Sequence, residues 1–97
     1  MKYYTRINTA DGHKAVKVEG RKCPFLDSAF TYKDEKGRYN LIDKDTGLAI
    51  CYAGRLKDLE GIYLKLKGEY DDIVKSPKYE TQKHNFEALI KEAEKDA

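Results

Sequence analysis

An amphipathic pattern between Arg55 and Lys75 constrains the fold of this chain more than any other feature. Since an α-helix advances by about 100° per residue, apolar side chains spaced by three and four residues form one stripe. A helix with a single apolar stripe must pack against another element of the domain. Leu64 lies well outside the stripe. The stripe contains Leu56, Leu59, Ile62, Tyr63, Leu66, Tyr70, Ile73 and Val74.

The N-terminal residues 1–20 predict a β-hairpin. Asp11-Gly12 is typical of a two-residue type I′ turn, and alternating apolar and polar residues flank it on both sides. The corresponding register pairs Ile7 with Val16 on an apolar face and places Arg6 opposite Lys17 on a polar face. Such a like-charge pair is unfavourable unless the polar face meets an anion.

A three-stranded antiparallel meander is predicted next, after a loop at 20–27. Its turns are Asp34–Gly37 and Lys44–Gly47, each ending in a glycine suited to a positive φ. Alternation along the strands predicts one aromatic side, which we expect the 55–75 helix to cover. That side consists of Phe30, Tyr32, Tyr39, Leu41, Leu48, Ile50 and Tyr52.

A second helix is predicted after Ser76-Pro77, with Ser76 as its N-cap and Pro77 at its first position. This helix either packs beside the first one or forms a partner-binding element. The expected fold class is α+β, in a single domain of residues 1–97. An antiparallel sheet of four to five strands, made of the hairpin and the meander, is covered on one face by the two C-terminal helices. The stripe of the second helix consists of Tyr79, Phe86, Leu89, Ile90 and Ala93.

Composition narrows the functional classes. The chain is 40% hydrophobic and 37% charged, with a formal net charge of only +2, so net charge alone does not indicate a nucleic-acid or membrane partner. The sequence has no apolar run of transmembrane length and no signal-peptide pattern, which predicts a cytoplasmic protein, as a monomer or a small homo-oligomer. We therefore expect Cys23 and Cys51 to be reduced.

Catalytic and cofactor sites are not predicted. A cysteine nucleophile would need a nearby base, and the chain offers only His13 and His84. The paired carboxylates, such as Asp43 and Asp45, sit at turns or on the outer helix face, where solvation explains them. The sequence contains no phosphate-binding glycine loop and too few well-spaced ligands for a metal. These observations predict a non-catalytic protein without a cofactor.

Two groups of residues are candidates for binding. If the hairpin joins the meander in one continuous sheet, the polar side of that sheet would present a basic face with hydrogen-bonding side chains, suited to a protein partner or to phosphates. The second helix offers Tyr79 and His84 as exposed contacts. A solvated sheet face is the simpler explanation of the polar side. The candidate face consists of Tyr4, Arg6, Lys17, Lys33, Arg38 and Asn40.

Residues 37–66, GRYNLIDKDTGLAICYAGRLKDLEGIYLKL, resemble a pattern found in small proteins of bacterial phages and mobile elements. In that pattern a strand, a D-x-x-T-G-type turn, an apolar strand and a helix follow one another. The resemblance implies a binding protein that acts through a protein–protein interface, in its sharpest form an inhibitor of a host defence system similar to anti-CRISPR proteins. A sheet followed by a helix is also similar to the arm-type DNA-binding domain of tyrosine integrases. The alternative is therefore a DNA-binding accessory module that uses the basic face.

Overall fold

The computed structural model describes residues 1–95 and has an α+β fold, which confirms the predicted class. A 3₁₀ turn (Leu56–Asp58) leads into the first helix, α1 (Leu59–Val74), and α2 (Pro77–Lys95) follows it. All strand pairs are antiparallel, but they form two sheets, β1-β2 and β3-β4-β5-β6, in place of one. The strands are β1 (Lys2–Thr9), β2 (Gly12–Glu19), β3 (Arg21–Lys22), β4 (Ala29–Lys33), β5 (Tyr39–Asp43) and β6 (Ala49–Ala53).

The hairpin β1-β2 forms as predicted, but its register differs by two residues. Gly12, with a φ of 124°, lies opposite Thr9, so the turn comes one residue earlier than expected. Arg6 consequently lies opposite Ala15 and not opposite Lys17. This register avoids the like-charge pair, which is a physical reason for the difference. A shift of two residues leaves every side chain on its predicted face.

The hairpin packs on the four-stranded sheet face to face and does not extend its edge. The ring of Tyr3 stacks on Phe30, with ring centroids 4.3 Å apart and planes 7° from parallel. The hydroxyl of Thr5 donates to the carbonyl of Gly47 at 3.2 Å. Phe30 and Thr5 are both buried by this contact. The hairpin and the meander therefore do not form one continuous sheet, which was the condition for the predicted basic face.

The loop between β4 and β5 changes the predicted assignment of side chains to faces. Gly37, with a φ of 82°, donates its N–H to the carbonyl of Asp34 at 3.0 Å, and the N–H of Asp34 donates to the carbonyl of Arg38 at 2.9 Å. Residues 34–38 thus form a loop with an odd number of residues between paired positions. Since side chains alternate along each strand, Phe30 and Leu41 lie on opposite faces, and their predicted placement on one face is wrong.

A bulge in β6 produces a second such change. Leu41 lies opposite Cys51, and the register shifts between Leu41 and Ile42 because Ile50 is an extra residue on β6. A bulge of this kind moves the following side chains to the other face. Tyr52, predicted to lie beneath α1, therefore points away from it and is 57% exposed.

Helix α1 covers the sheet as its stripe predicts. Leu59 and Tyr63 are buried against the face that carries Leu41, whereas Leu64, outside the stripe, is 60% exposed. Both cysteines lie in this core as free thiols, and burial raises the pKa of each. The core cluster consists of Cys23, Ala29, Leu41, Cys51, Ala53, Leu59, Tyr63 and Tyr70.

Helix α2 begins at Pro77 as predicted, and it packs mainly against the outer face of the hairpin. Phe86 is 1% exposed and Ala15 on β2 is 2% exposed, because these two elements cover each other. Between the helices, the hydroxyl of Ser76 donates to the carbonyl of Ile73 at 2.7 Å. The hairpin therefore lies between the four-stranded sheet and α2.

Candidate functional site

A buried carboxylate, Asp43 at the end of β5, joins both helices to the sheet. Tyr70 from α1 donates its hydroxyl to Oδ1 at 2.7 Å, and Tyr79 from α2 donates to Oδ2 at 2.9 Å. The backbone N–H and the hydroxyl of Thr46 also donate to Oδ2, at 3.1 and 2.8 Å. We call these four residues the Asp43 cluster. Asp43 is 2% exposed, so nearly all of its hydrogen bonding is with the protein.

The side chains of the Asp43 cluster are hydrogen-bonded to one another and to Ser28. The hydroxyl of Ser28 lies 3.2 Å from that of Tyr70, whose proton points to Asp43, so Ser28 is the donor of that pair. Burial, and then the hydrogen bond to Asp43, raise the pKa of Tyr70 and Tyr79 above the ordinary value of 10.0. Both hydroxyls are therefore protonated at neutral pH and act as donors. This geometry is typical of a structural tie between elements, because donors from α1, α2 and the turn after β5 converge on one carboxylate.

An apolar cleft of about 300 Å³ opens beside the Asp43 cluster, between α1, α2 and the segment that joins β5 to β6. Leu66 and Ile73 of α1 form one wall, Leu48 and Ile50 form another, and α2 closes the third side. Ile73 is 56% exposed and Leu48 41% exposed, so apolar surface faces solvent here. Glu69, Lys78 and Gln82 supply the polar rim.

Strand β6 forms one edge of the four-stranded sheet, directly beside this cleft. The N–H of Asp43 donates to the carbonyl of Leu48 at 3.0 Å, which shows that odd-numbered residues of β5 bond towards β6. Their partners on β6 are Cys51 and Ala53. Tyr52 therefore directs its N–H and C=O away from β5, and within residues 1–95 neither group makes a backbone hydrogen bond outside the strand ladder.

An arginine is held beside the same strand on the opposite face of the sheet. Arg38 donates its Nε–H to Oδ2 of Asp34 at 3.2 Å, and its guanidinium carbon lies 4.7 Å from the ring centroid of Tyr52. Asn40, which is 8% exposed, donates to the same Oδ2 at 3.0 Å. Asn40 is the largest influence that lowers the pKa of Asp34 to about 2, followed by Arg38. We call Asp34, Arg38, Asn40 and Tyr52 the Arg38 cluster.

The predicted basic face is not formed as one surface. Tyr4, Arg6 and Lys17 lie on the outer face of the hairpin, whereas Lys33 ends β4 of the other sheet and Arg38 lies in the loop before β5. There the odd-length loop places Lys33 on the face opposite Asn40, which is buried in the Arg38 cluster. The prediction fails because the hairpin forms a separate sheet and because the side-chain alternation changes at the loop.

Arg6 is used within the fold. Its Nη1 donates to Oε1 of Gln82 at 2.6 Å, its Nη2 donates to the carbonyl of the same residue at 3.0 Å, and the guanidinium lies 5.6 Å from the ring centroid of Phe86. Burial lowers the pKa of Arg6. Lys17 lies 5.5 Å from the ring centroid of Tyr4, in a similar contact along the hairpin.

The two predicted contacts on α2 have different environments. Tyr79 is 9% exposed and belongs to the Asp43 cluster, so the prediction that it is an exposed contact is wrong. Its hydroxyl reaches Asp43 at the end of β5, which places the side chain inside the fold. His84 is exposed, between Glu80 and Glu87 at 4.0 and 3.9 Å.

Sequence reasoning missed the Asp43 cluster and the open edge of β6. A signal for the first was present in the D-x-x-T-G turn, where an aspartate followed three residues later by threonine can accept from its N–H and hydroxyl. The pattern did not indicate the tyrosines, which come from α1 and α2. No sequence feature indicated that β6 is an edge strand, because the alternation of apolar and polar residues does not reveal the order of strands in a sheet.

Comparison with family models, curated proteins and solved structures finds no match to this chain. Among the helices described, none is long and apolar enough to cross a membrane. Within residues 1–95, no group of three or more histidine, cysteine, aspartate or glutamate side chains is placed to hold a metal ion.

Proposed function

We propose that this chain is a binding protein that captures an extended segment of a partner protein along β6. The observation that carries the proposal is the unpaired N–H and C=O of Tyr52 on an edge strand. Exposed strand edges bind extended peptides by adding a strand, with main-chain hydrogen bonds supplying affinity and flanking pockets supplying specificity. This role agrees with the proposed origin in a phage or mobile element and with a partner in the bacterial cytoplasm, such as a defence component.

The surroundings of β6 favour a partner strand of alternating character. Side chains of an added strand would point alternately to the two faces of the sheet. On one face they would meet the apolar cleft beside Leu48 and Ile50, and on the other face they would meet Tyr52 and Arg38. The bulge at Ile50 interrupts the ladder, so pairing is centred on Tyr52.

A second copy of this chain is the competing occupant of the edge. Antiparallel pairing of β6 with itself around a two-fold axis would place two Arg38 side chains, of like charge, on the same face of the joined sheet. A partner strand can instead carry complementary charge. The partner proposal therefore has the more favourable electrostatics.

The test selects peptides from a random display library on the immobilised protein and compares two variants of one residue. Tyr52→Ala removes the ring but keeps the N–H, whereas Tyr52→Pro also removes the N–H, which makes no bond to β5. Binding to Tyr52→Pro should be about tenfold weaker than binding to Tyr52→Ala, because one main-chain hydrogen bond is lost.

Amide hydrogen exchange of the wild-type protein supplies a measurement that does not depend on a variant. The Tyr52 amide should exchange rapidly in the free protein and slowly in the peptide complex. Equal affinity for both variants, with no added protection of the amide, would overturn the proposal. Sedimentation that showed a dimer of the free wild type, lost in Tyr52→Pro, would assign the edge to self-association instead.

A further inference from the structure

We propose that the Arg38 cluster recognises an aspartate or glutamate side chain of the partner segment bound along β6. This inference rests on the proposed function, since the added strand brings the acidic side chain to Arg38. It concerns a separate contact, however, on the face of the sheet opposite the apolar cleft.

The guanidinium of Arg38 is held on two sides by the protein. Its Nε–H is directed to Asp34 at 3.2 Å, and one face of the group lies against the ring of Tyr52. Asp34 is itself held by Asn40 and by the N–H groups of Lys36 and Arg38, each at 3.0 Å. Because its pKa is lowered to about 2, Asp34 remains ionised at physiological pH and holds Arg38 throughout.

The terminal nitrogens of Arg38 remain available. Within residues 1–95 neither Nη1 nor Nη2 makes a hydrogen bond, and the side chain is 43% exposed. A guanidinium presents its N–H groups as a planar fork that matches the two oxygens of a carboxylate. Since the group is already oriented, binding would cost less side-chain entropy than it does for a mobile arginine.

The position of the fork relative to β6 indicates which partner residue it meets. In an added strand, the residue opposite Tyr52 places its side chain on the same face as the Tyr52 ring. The guanidinium of Arg38 lies over that ring, so it is within reach of an acidic side chain at this position or at a diagonal neighbour. Lysine or arginine there would meet a like charge.

The charge beside the fork favours a ligand with a single carboxylate. Asp34 adjoins the fork, and its negative charge disfavours a ligand of higher charge.

The test uses peptides selected on the wild-type protein, synthesised with amidated C-termini so that only side chains supply carboxylates. Each acidic residue of a peptide is replaced by its amide, and each peptide is measured against wild type, Arg38→Gln and Lys36→Gln. Lys36→Gln is the matched control, since it removes a positive charge from the same loop. Within residues 1–95 the side chain of Lys36 makes no hydrogen bond, and only its backbone N–H does.

Replacing one acidic residue of the peptide by its amide should weaken binding to wild type about tenfold. The unaltered peptide should bind Arg38→Gln about tenfold more weakly than it binds wild type. The two losses should not add when both changes are combined, because they remove the same contact. Lys36→Gln should change affinity less than twofold, as expected for an exposed charge. Thermal unfolding of Arg38→Gln checks that the domain still folds.

The outcomes separate this inference from the function on which it rests. Peptides that Tyr52→Pro weakens but that bind Arg38→Gln as tightly as wild type would overturn the acidic contact and leave edge binding intact. Equal losses in Arg38→Gln and Lys36→Gln would also overturn it, because general electrostatic attraction would then explain the effect. A selection that yields no peptide dependent on the Tyr52 N–H would overturn both proposals.

Discussion

Replacing Asp43 with asparagine should destabilise the domain by about 2–4 kcal/mol, although the two side chains have nearly the same shape. Four donors converge on the carboxylate: the hydroxyls of Tyr70 and Tyr79 and the hydroxyl and N–H of Thr46. Asparagine offers one acceptor oxygen and presents an NH₂ group to the donors on its other side. A hydrogen bond to a charged group contributes about 1.5–3 kcal/mol, and tyrosine hydroxyls that turn to accept from the amide recover part of the loss.

Urea unfolding followed by circular dichroism measures this loss, and thermal unfolding should show a midpoint lower by roughly 8–30 °C for a domain of this size. Asp45→Asn is the matched control, since it makes the same chemical change at an exposed position of the same turn. Its effect should stay within about 0.5 kcal/mol. A loss for Asp43→Asn no larger than that of Asp45→Asn would refute the claim that the carboxylate ties the helices to the sheet.

Three further predictions concern stability at high pH and at two glycines. Since the pKa of both tyrosine hydroxyls of the Asp43 cluster is raised from 10.0, their contribution is complete below pH 10. Above pH 10 these tyrosines ionise in the unfolded chain but stay protonated in the folded protein. The free energy of unfolding should therefore fall by about 1.4 kcal/mol per pH unit for each hydroxyl. The urea unfolding midpoints of wild type and of the variant with both Tyr70→Phe and Tyr79→Phe should approach each other between pH 8 and 11. A constant difference between the two midpoints over this range would contradict the prediction. Gly47→Ala should be strongly destabilising, because φ is 69° and an added Cβ would lie 2.4 Å from the ring of Phe86. Gly61→Ala, on the open face of α1, should stabilise the domain by up to about 1 kcal/mol. Thermal unfolding should therefore give a lower midpoint for Gly47→Ala and a higher midpoint for Gly61→Ala than for wild type.

The order of elements and the role of α1 could be predicted because they depend on local patterns. The apolar stripe of α1 covers several turns, so an error of one residue at either end does not change which side is buried. Leu59 and Leu64 accordingly have the environments that their positions predict. Pro77 marked the start of α2 through its own backbone constraint, independently of what the helix contacts.

The face of the sheet on which each side chain lies could not be predicted in this way, because a single extra residue moves all following side chains of a strand to the opposite face. Gly37 makes a loop of odd length between β4 and β5, and Ile50 is an extra residue in β6. Both features depend on backbone geometry that many sequences of similar composition do not adopt. The loop places Phe30 and Leu41 on opposite faces, and the bulge leaves Leu41 buried beneath α1 while Tyr52 is exposed, although alternation had placed all three together.

The partner surface proposed here depends on these same irregularities. With a regular strand in place of the bulge, Tyr52 would lie beneath α1, and the Arg38 cluster would have no aromatic ring beside it. On the opposite face, Tyr70 of α1 and Tyr79 of α2 both line the cleft, and both donate their hydroxyls to Asp43. The same carboxylate therefore fixes the positions of two tyrosine side chains that border the cleft beside β6.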